Sequence, residues 1–258
     1  MDFAISPDGR RAYIIEIAHD KAAPDKKFGL SIIDITNPKK PSLAQRIEGD
    51  FMTMHLSSDG KLLYLQERNL KPAFSRGLQV YTVGEDGLKL SCSNPFGNKD
   101  ASGPVFAYSF ASFPDEPLLL IQDQRRRLIL FDVTDPCVPK KLSEFRTDKV
   151  AGPMFGESGR TIVSGPGGLQ RSRISDSLVR VAGYEASAVR AFHVDPKTKS
   201  TSAAIGKDVA VFRTNSNGQF VLTDRFRLNS DNVGSVWQTS TGHIYIGWKG
   251  GLGVGVIP

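Results

Sequence analysis

The sequence predicts an all-β protein built from repeated units, and three observations lead to this prediction. Its apolar runs are short, about four to eight residues, and Asp-Gly or Pro turns bound them in the manner of β-hairpins. No long stretch keeps the 3.6-residue period of an amphipathic helix. Motifs for both strands and turns also recur along the chain.

Two motifs define the repeat. Segment 29–41 reads Gly-Leu-Ser-Ile-Ile-Asp-Ile-Thr-Asn-Pro-Lys-Lys-Pro and returns in similar form at 127–139. A Ser-Pro-Asp-Gly turn at 6–9 returns as Ser-Ser-Asp-Gly at 57–60 and as Glu-Ser-Gly at 157–159. The spacings correspond to one or two units of about 50 residues, with the Phe-Pro-Asp-Glu turn at 113–116 at the intervening position.

Six units follow along the chain, with four strands in each of the first five and three in the last. Their predicted bounds are 1–49, 50–103, 104–148, 149–186, 187–231 and 232–258. Units of this length and strand number are typical of the blades of a β-propeller, which surround a central channel. The sequence therefore predicts one domain, a six-bladed β-propeller of four-stranded antiparallel blades, whose last blade lacks its outer strand.

The incomplete last blade has two explanations. Residues upstream of Met1 can supply the missing strand, and we then expect this chain to be a fragment of a longer chain or to begin at a wrongly assigned start. The alternative is an exposed strand edge on the sixth blade, which would tend to pair with strands of other molecules.

The frame Leu-x-Ile-x-Asp-Ile-Thr-Asn-Pro-x-x-Pro at 30–41, with its partner at 128–139, resembles the LVIVD repeat of bacterial surface and periplasmic propellers. The turn at 6–9, followed by Ala12-Tyr13-Ile14, is similar to the wider group of YVTN-type propellers. The resemblance covers residues 1–147 and is weak beyond them. It implies a propeller fold and a periplasmic, cell-surface or secreted location, although the chain shows no signal peptide. It implies no catalytic residues.

Composition excludes several classes of protein. The net charge is +6 and the isoelectric point is near 9.3, yet the basic residues are scattered, so we expect no nucleic-acid binding. The apolar runs are too short for a membrane span, and we expect a monomer. Cys92 and Cys137 lack metal-ligand spacing. One disulfide is possible in an oxidising compartment, but the expectation is two free thiols.

The predicted ligand site lies on the loops that face the channel, an inference by analogy with other propellers. The residues expected to bind a ligand there are Arg68, Lys71, Arg76, Lys99, Arg125, Arg126, Trp248 and Lys249. This mostly cationic set suits a carboxylate, a phosphate or an acidic peptide. The alternative is an ordinary solvated loop surface.

The predicted function is therefore a non-enzymatic binding or interaction scaffold, whose partner is a protein or a small anionic ligand, with no cofactor and no metal site. The alternative is a lactonase-like hydrolase in which Glu16, His19 and Asp123 meet across the channel around a divalent ion such as Ca²⁺. Nothing in their spacing requires that arrangement. An electron-transfer subunit is a third possibility, without a cofactor attachment motif to support it.

Several other polar residues have a structural interpretation. Asp34 and Asp132 occupy equivalent positions before Thr-x-Pro turns and are expected to accept turn N–H groups. His55 and His193 fall in innermost strands and are expected to be packed between blades.

Overall fold

The structure, a computed structural model, describes most of the chain. The described ranges are 2–16, 29–67, 77–93, 95–96, 107–123, 125–146, 152–165, 168–175, 178–184, 189–195, 198–228, 233–239, 242–248 and 251–256.

The described residues form β-strands in six antiparallel sheets, each following the chain from its first strand to its last. Five sheets have four strands and one has three. In chain order, the strands of the first three sheets are β1 (Asp2–Ile5), β2 (Arg11–Glu16), β3 (Gly29–Asp34), β4 (Ser42–Glu48), then β5 (Phe51–Leu56), β6 (Leu62–Glu67), β7 (Leu78–Gly84), β8 (Gly87–Ser93), then β9 (Ala107–Ser112), β10 (Leu118–Asp123), β11 (Arg127–Asp132), β12 (Lys140–Arg146). Those of the last three sheets are β13 (Met154–Glu157), β14 (Thr161–Ser164), β15 (Leu169–Ile174), β16 (Leu178–Tyr184), then β17 (Val189–Asp195), β18 (Ser200–Ile205), β19 (Asp208–Thr214), β20 (Phe220–Arg227), then β21 (Val233–Gln238), β22 (His243–Trp248), β23 (Gly251–Val256).

The sheets pack face to face in a ring. Apolar side chains of consecutive sheets share core clusters, for example Ile121 of the third sheet with Val80 of the second. Trp237 and Tyr245 of the three-stranded sheet pack against the cluster that contains Phe3 of the first sheet, which closes the ring. The fold is thus an all-β propeller with four-stranded antiparallel blades, as the sequence predicts.

The first strand of the fourth sheet begins well inside its predicted unit. Strand β13 begins at Met154, whereas the unit is predicted to begin at residue 149. The described Gly152 and Pro153 precede the strand without belonging to it, and Pro153 has no amide proton to donate to a ladder. The three strands of the last sheet lie within the predicted unit at 232–258.

The repeated turns have matching hydrogen bonds. Ser6 Oγ donates to Asp8 Oδ1 and accepts the N–H of Arg11 at 2.9 Å. Ser57 Oγ makes the equivalent donation to Asp59 at 2.6 Å. The glycine that follows each aspartate has a φ of 71° or 72°, a conformation that favours glycine. The sequence motif therefore encodes one turn structure in two blades.

The predicted role of the two repeated aspartates is also confirmed. Thr36 donates its N–H to Asp34 Oδ1 at 2.8 Å, and this hydrogen bond lowers the pKa of the Asp34 carboxyl. Thr134 donates both its hydroxyl and its N–H to Asp132 Oδ1, at 2.7 and 2.9 Å, and lowers the pKa of that carboxyl in the same way. Both carboxylates are exposed turn formers.

Every four-stranded sheet carries a β-bulge in its outermost strand. The bulged residues, each skipped between two paired neighbours, are Ala44, Ser91, Leu142, Val181 and Thr223. The bulge is present in the fourth and fifth sheets, where the sequence motif is lost. The structural repeat therefore extends further along the chain than the sequence repeat.

Cys92 and Cys137 form a disulfide, so the prediction of two free thiols is wrong. Cys92 lies in β8 of the second sheet, and Cys137 lies in the turn between β11 and β12 of the third. The sequence places the two cysteines in different blades, but ring packing brings these neighbouring elements together. The disulfide thus links two adjacent blades.

No helix among the described residues is long and apolar enough to cross a membrane.

Replacing both cysteines, Cys92→Ala and Cys137→Ala, is expected to lower the free energy of unfolding. The cross-linked residues are 45 positions apart, and a loop of that size restricts the unfolded chain enough to predict a loss of about 3–4 kcal/mol. Urea denaturation measures the change, with reduced wild-type protein as the matched control. Equal midpoints for the oxidised and reduced wild-type protein would contradict a stabilising cross-link.

Candidate functional site

A cavity of about 530 Å³ occupies the axis of the ring. Residues from the innermost strands of all six sheets line it, together with Gly152 and Pro153 just before β13. Its aromatic lining consists of Phe3, Tyr108, Phe110, Phe155, Phe192 and Trp237, with His55 and His193 beside them. The cavity is also lined by Met52, Met54 and Met154, and these are all of the methionines after Met1. The channel wall is therefore largely apolar and aromatic.

One end of this cavity can be assigned to a defined face of the ring. An even number of antiparallel strands returns the chain to the face where the sheet began, so each outermost strand ends where the next innermost strand starts. The two-residue connection between β4 and β5 fits this arrangement. We use the term entry face for the face on which β1, β5, β9, β13, β17 and β21 begin. The connections from each second strand to each third strand lie on the same face.

The innermost strands are bulged at the entry face. In four of them the second residue is skipped in the pairing with the neighbouring strand, at Met52, Tyr108, Arg190 and Gly234. Bulges redirect side chains and are common beside functional sites. Met52, Tyr108 and Arg190 all line the cavity. The repeated bulge therefore places a thioether, a phenol and a guanidinium around one rim of the channel.

His55 is held between the second and third sheets. Its Nε2 lies 2.9 Å from Ser112 Oγ, and its ring stacks on Phe110 with 5.9 Å between centroids. Burial lowers the pKa of His55 to about 4, so the imidazole is neutral at pH 7.

His193 is held in the same manner between the fifth and sixth sheets. Its Nδ1 accepts the N–H of Gln238 at 3.2 Å, and its ring stacks on Trp237 at 4.0 Å between centroids. Burial lowers the pKa of His193 to about 3, against a smaller opposite effect of Asp195. Both histidines are packed neutral side chains, which agrees with the structural role expected from the sequence.

The structure describes three of the predicted ligand-binding residues. Arg125 and Arg126 lie in the turn between β10 and β11 on the entry face, where Arg126 adopts a φ of 60°. Trp248 is the last residue of β22 and reaches the same face by its backbone position. The remaining predicted residues lie outside the described part of the chain, and these are Arg68, Lys71, Arg76, Lys99 and Lys249.

The three residues of the alternative catalytic set, Glu16, His19 and Asp123, differ in whether and where the structure describes them. Glu16 ends β2, on the entry face, and His19 lies outside the described residues. Asp123 ends β10 and is buried. No group of three or more His, Cys, Asp or Glu side chains that could hold a metal ion occurs within the described ranges.

The Asp123 carboxylate is engaged within its own sheet. Oδ1 accepts the N–H groups of Arg125 and Arg127, both at 2.9 Å. Oδ2 accepts Arg127 Nε at 2.8 Å and lies 2.6 Å from Arg127 Nη2. The Arg127 side chain is itself only 8% exposed. The pair therefore closes the turn between β10 and β11.

Apart from His55 and His193, sequence reasoning missed the residues that line the cavity. Met52, Tyr108 and Arg190 belong to strand segments whose apolar character predicts core packing. Their orientation depends on a skipped position in strand pairing, and no residue type in these segments signals that skip.

Asp123→Ala is expected to lower the free energy of unfolding by about 3–5 kcal/mol, because it leaves a buried guanidinium without its main partner. Glu116→Ala is the matched control, since Glu116 pairs with Arg160 at the exposed surface and its loss is expected to cost about 1 kcal/mol or less. Urea denaturation compares the two variants. Unchanged stability of Asp123→Ala would mean that the carboxylate has no structural role.

The two packed histidines, His193 buried and His55 half-buried, predict acid sensitivity. In the unfolded chain they take up protons near pH 6.5, whereas in the folded protein they stay neutral down to about pH 4 and 3. The unfolded state binds more protons in this interval, so stability is full above pH 6.5 and falls as the pH drops toward 4. Each histidine contributes a slope of at most about 1.4 kcal/mol per pH unit.

Denaturation at a series of pH values measures this slope, and the NMR signals of the imidazole C–H groups report the protonation of each ring. Titration of both rings near pH 6.5 in the folded protein would contradict the prediction.

Comparison with solved structures places the fold among known propellers, although no family model and no curated protein matches the chain. The structure of U3-55K is similar with a TM-score of 0.64 and 10% identity, over 96% of this chain and 87% of that one. The RRP9 WD40 repeats give 0.63 and 11%, over 96% and 86%. A protein from Bacteroides uniformis, provisionally named 6-phosphogluconolactonase, gives 0.60 and 14%, over 95% and 76%. At these identities the likeness concerns the fold, a β-propeller with WD40-like neighbours.

Proposed function

We propose that this protein is a non-enzymatic binding module that holds its ligand or partner over the channel at the entry face. The observation that carries the proposal is the largely apolar axial cavity, at whose rim the repeated bulge of the innermost strands places three chemically different side chains. Concave, largely apolar sites with a few polar groups are typical of binding sites. The WD40 repeats among the similar structures are consistent with a scaffold role.

The polar groups near the cavity favour binding over hydrolysis. The Asp123 carboxylate forms an ion pair with the Arg127 guanidinium. The two histidines that line the channel are neutral and pack against aromatic rings. A general base or a metal ligand needs a side chain that is accessible to the substrate or the ion. These three side chains instead serve packing and turn closure.

The proposal also includes the number of blades in the ring. We count the three-stranded sheet as a sixth blade that lacks its outer strand, in a propeller of the LVIVD type. The two cationic connections that contain Arg68, Lys71, Arg76 and Lys99 lie outside the described residues, but each joins strands that end and begin at the entry face. They would contact the outer part of a bound partner.

Metal content and hydrolysis test the proposal. Purified protein is expected to hold no stoichiometric divalent ion, to show no rise in melting temperature with Ca²⁺, Mg²⁺ or Mn²⁺, and to hydrolyse a panel of lactones at the buffer rate. Elemental analysis, thermal denaturation and a pH-indicator assay measure these properties. A bound ion together with ion-dependent turnover, lost in Glu16→Gln, would replace the binding module by the hydrolase.

A further inference from the structure

We propose that the axial cavity binds a small aromatic monocarboxylate, with its ring between the apolar walls and its carboxylate at Arg190. This inference rests on the proposed binding function and adds the chemical class of the ligand. It is independent of the cationic loops predicted from the sequence, because it uses only residues of the innermost strands.

The walls favour a flat apolar body. Phe155, Phe192 and Trp237 line the cavity from neighbouring sheets. The indole is held in position by His193, whose ring in turn contacts Phe155 edge-on at 5.7 Å. Aromatic faces and edges fixed in this manner recognise other rings by stacking and edge contacts.

Two methionines allow the walls to adapt. Met52 lies at the rim and Met154 on another side of the channel, and both are half-buried. A thioether side chain is flexible and polarisable, so it fills irregular gaps and makes favourable contacts with aromatic rings. The cavity can therefore close around rings of different outline.

The charge of the cavity lining favours an anionic group. Among the cavity-lining residues within the described ranges, Arg190 is the cation and no aspartate or glutamate occurs. The bulge at Arg190 places its side chain at the rim, where it is exposed. A guanidinium can bind a carboxylate through two parallel hydrogen bonds.

Further donors surround the rim. The Tyr108 phenol, 46% exposed, is at the entry face. The hydroxyl of its neighbour Ser109 is buried and has no hydrogen-bond partner within the described structure. Buried polar groups in native proteins are generally satisfied. A ligand oxygen, or a water that bridges to it, would satisfy the Ser109 hydroxyl.

The volume sets an upper limit on the ligand. Small-molecule sites commonly have volumes of about 300–1,000 Å³, and this cavity of about 530 Å³ lies in that range. A bicyclic aromatic acid fits within it, so naphthoate is a suitable probe. Its amide, naphthamide, has the same rings and no charge.

Isothermal titration calorimetry with both probes tests the proposal. Naphthoate is expected to bind at one site per chain, and naphthamide at least tenfold more weakly, because only the carboxylate pairs with the guanidinium. Arg190→Gln is expected to weaken naphthoate binding about tenfold and to leave naphthamide binding unchanged. Arg213→Gln, an exposed cation on β19 away from the cavity lining, is the matched control and is expected to bind naphthoate as the wild type does.

Three outcomes would overturn the proposal: no naphthoate binding at millimolar concentration, equal affinity for both probes, or an Arg190→Gln variant that binds naphthoate unchanged. Melting temperatures of both variants confirm that they are folded. These results are separable from the test of the proposed function. Divalent-ion content with turnover would overturn the binding module, whereas failure of naphthoate alone would overturn only the ligand class.

Discussion

The structure depends on one constraint: each blade has apolar side chains on both of its faces. In β10, Leu118 and Leu120 join the core shared with the fourth sheet, whereas Leu119 and Ile121 join the core shared with the second. Such a sheet is stable only between two neighbours, and the neighbours have the same requirement. A closed ring satisfies all of them at once. The axial cavity follows from this closure, because the innermost strands stand around the axis.

Polar contacts between blades add orientation to this apolar packing. Arg171 of the fourth sheet pairs with Glu157 through two contacts of 2.8 Å and donates to Thr214 Oγ1 of the fifth sheet at 2.9 Å. Its guanidinium also lies 4.6 Å from the centre of the Phe220 ring. A buried arginine needs several fixed partners, so it specifies how the two sheets are rotated relative to one another.

The fold was largely predictable from sequence because strands and turns are local. An apolar run between turn residues defines a strand wherever it occurs, and an aspartate such as Asp34 binds a backbone N–H two residues further along. The binding surface was less predictable, because it depends on contacts between distant positions. The partner of Cys92, for example, lies 45 residues away in the next blade. The orientation of Arg190 depends on a skipped pair in the ladder, which residue types alone do not report.

The bulges of the outermost strands affect how molecules of this protein meet each other in solution. Leu142 and Val181 are bulged residues on the outside of the ring and are 44% and 49% exposed. Apolar residues on an open strand would ordinarily invite a strand of another molecule to dock and extend the sheet. The bulge interrupts the regular spacing of amide and carbonyl groups at that position, so an incoming strand cannot hydrogen-bond continuously across it. The bulged outermost strands can thus expose apolar side chains on the circumference of the ring and still resist growth into fibres.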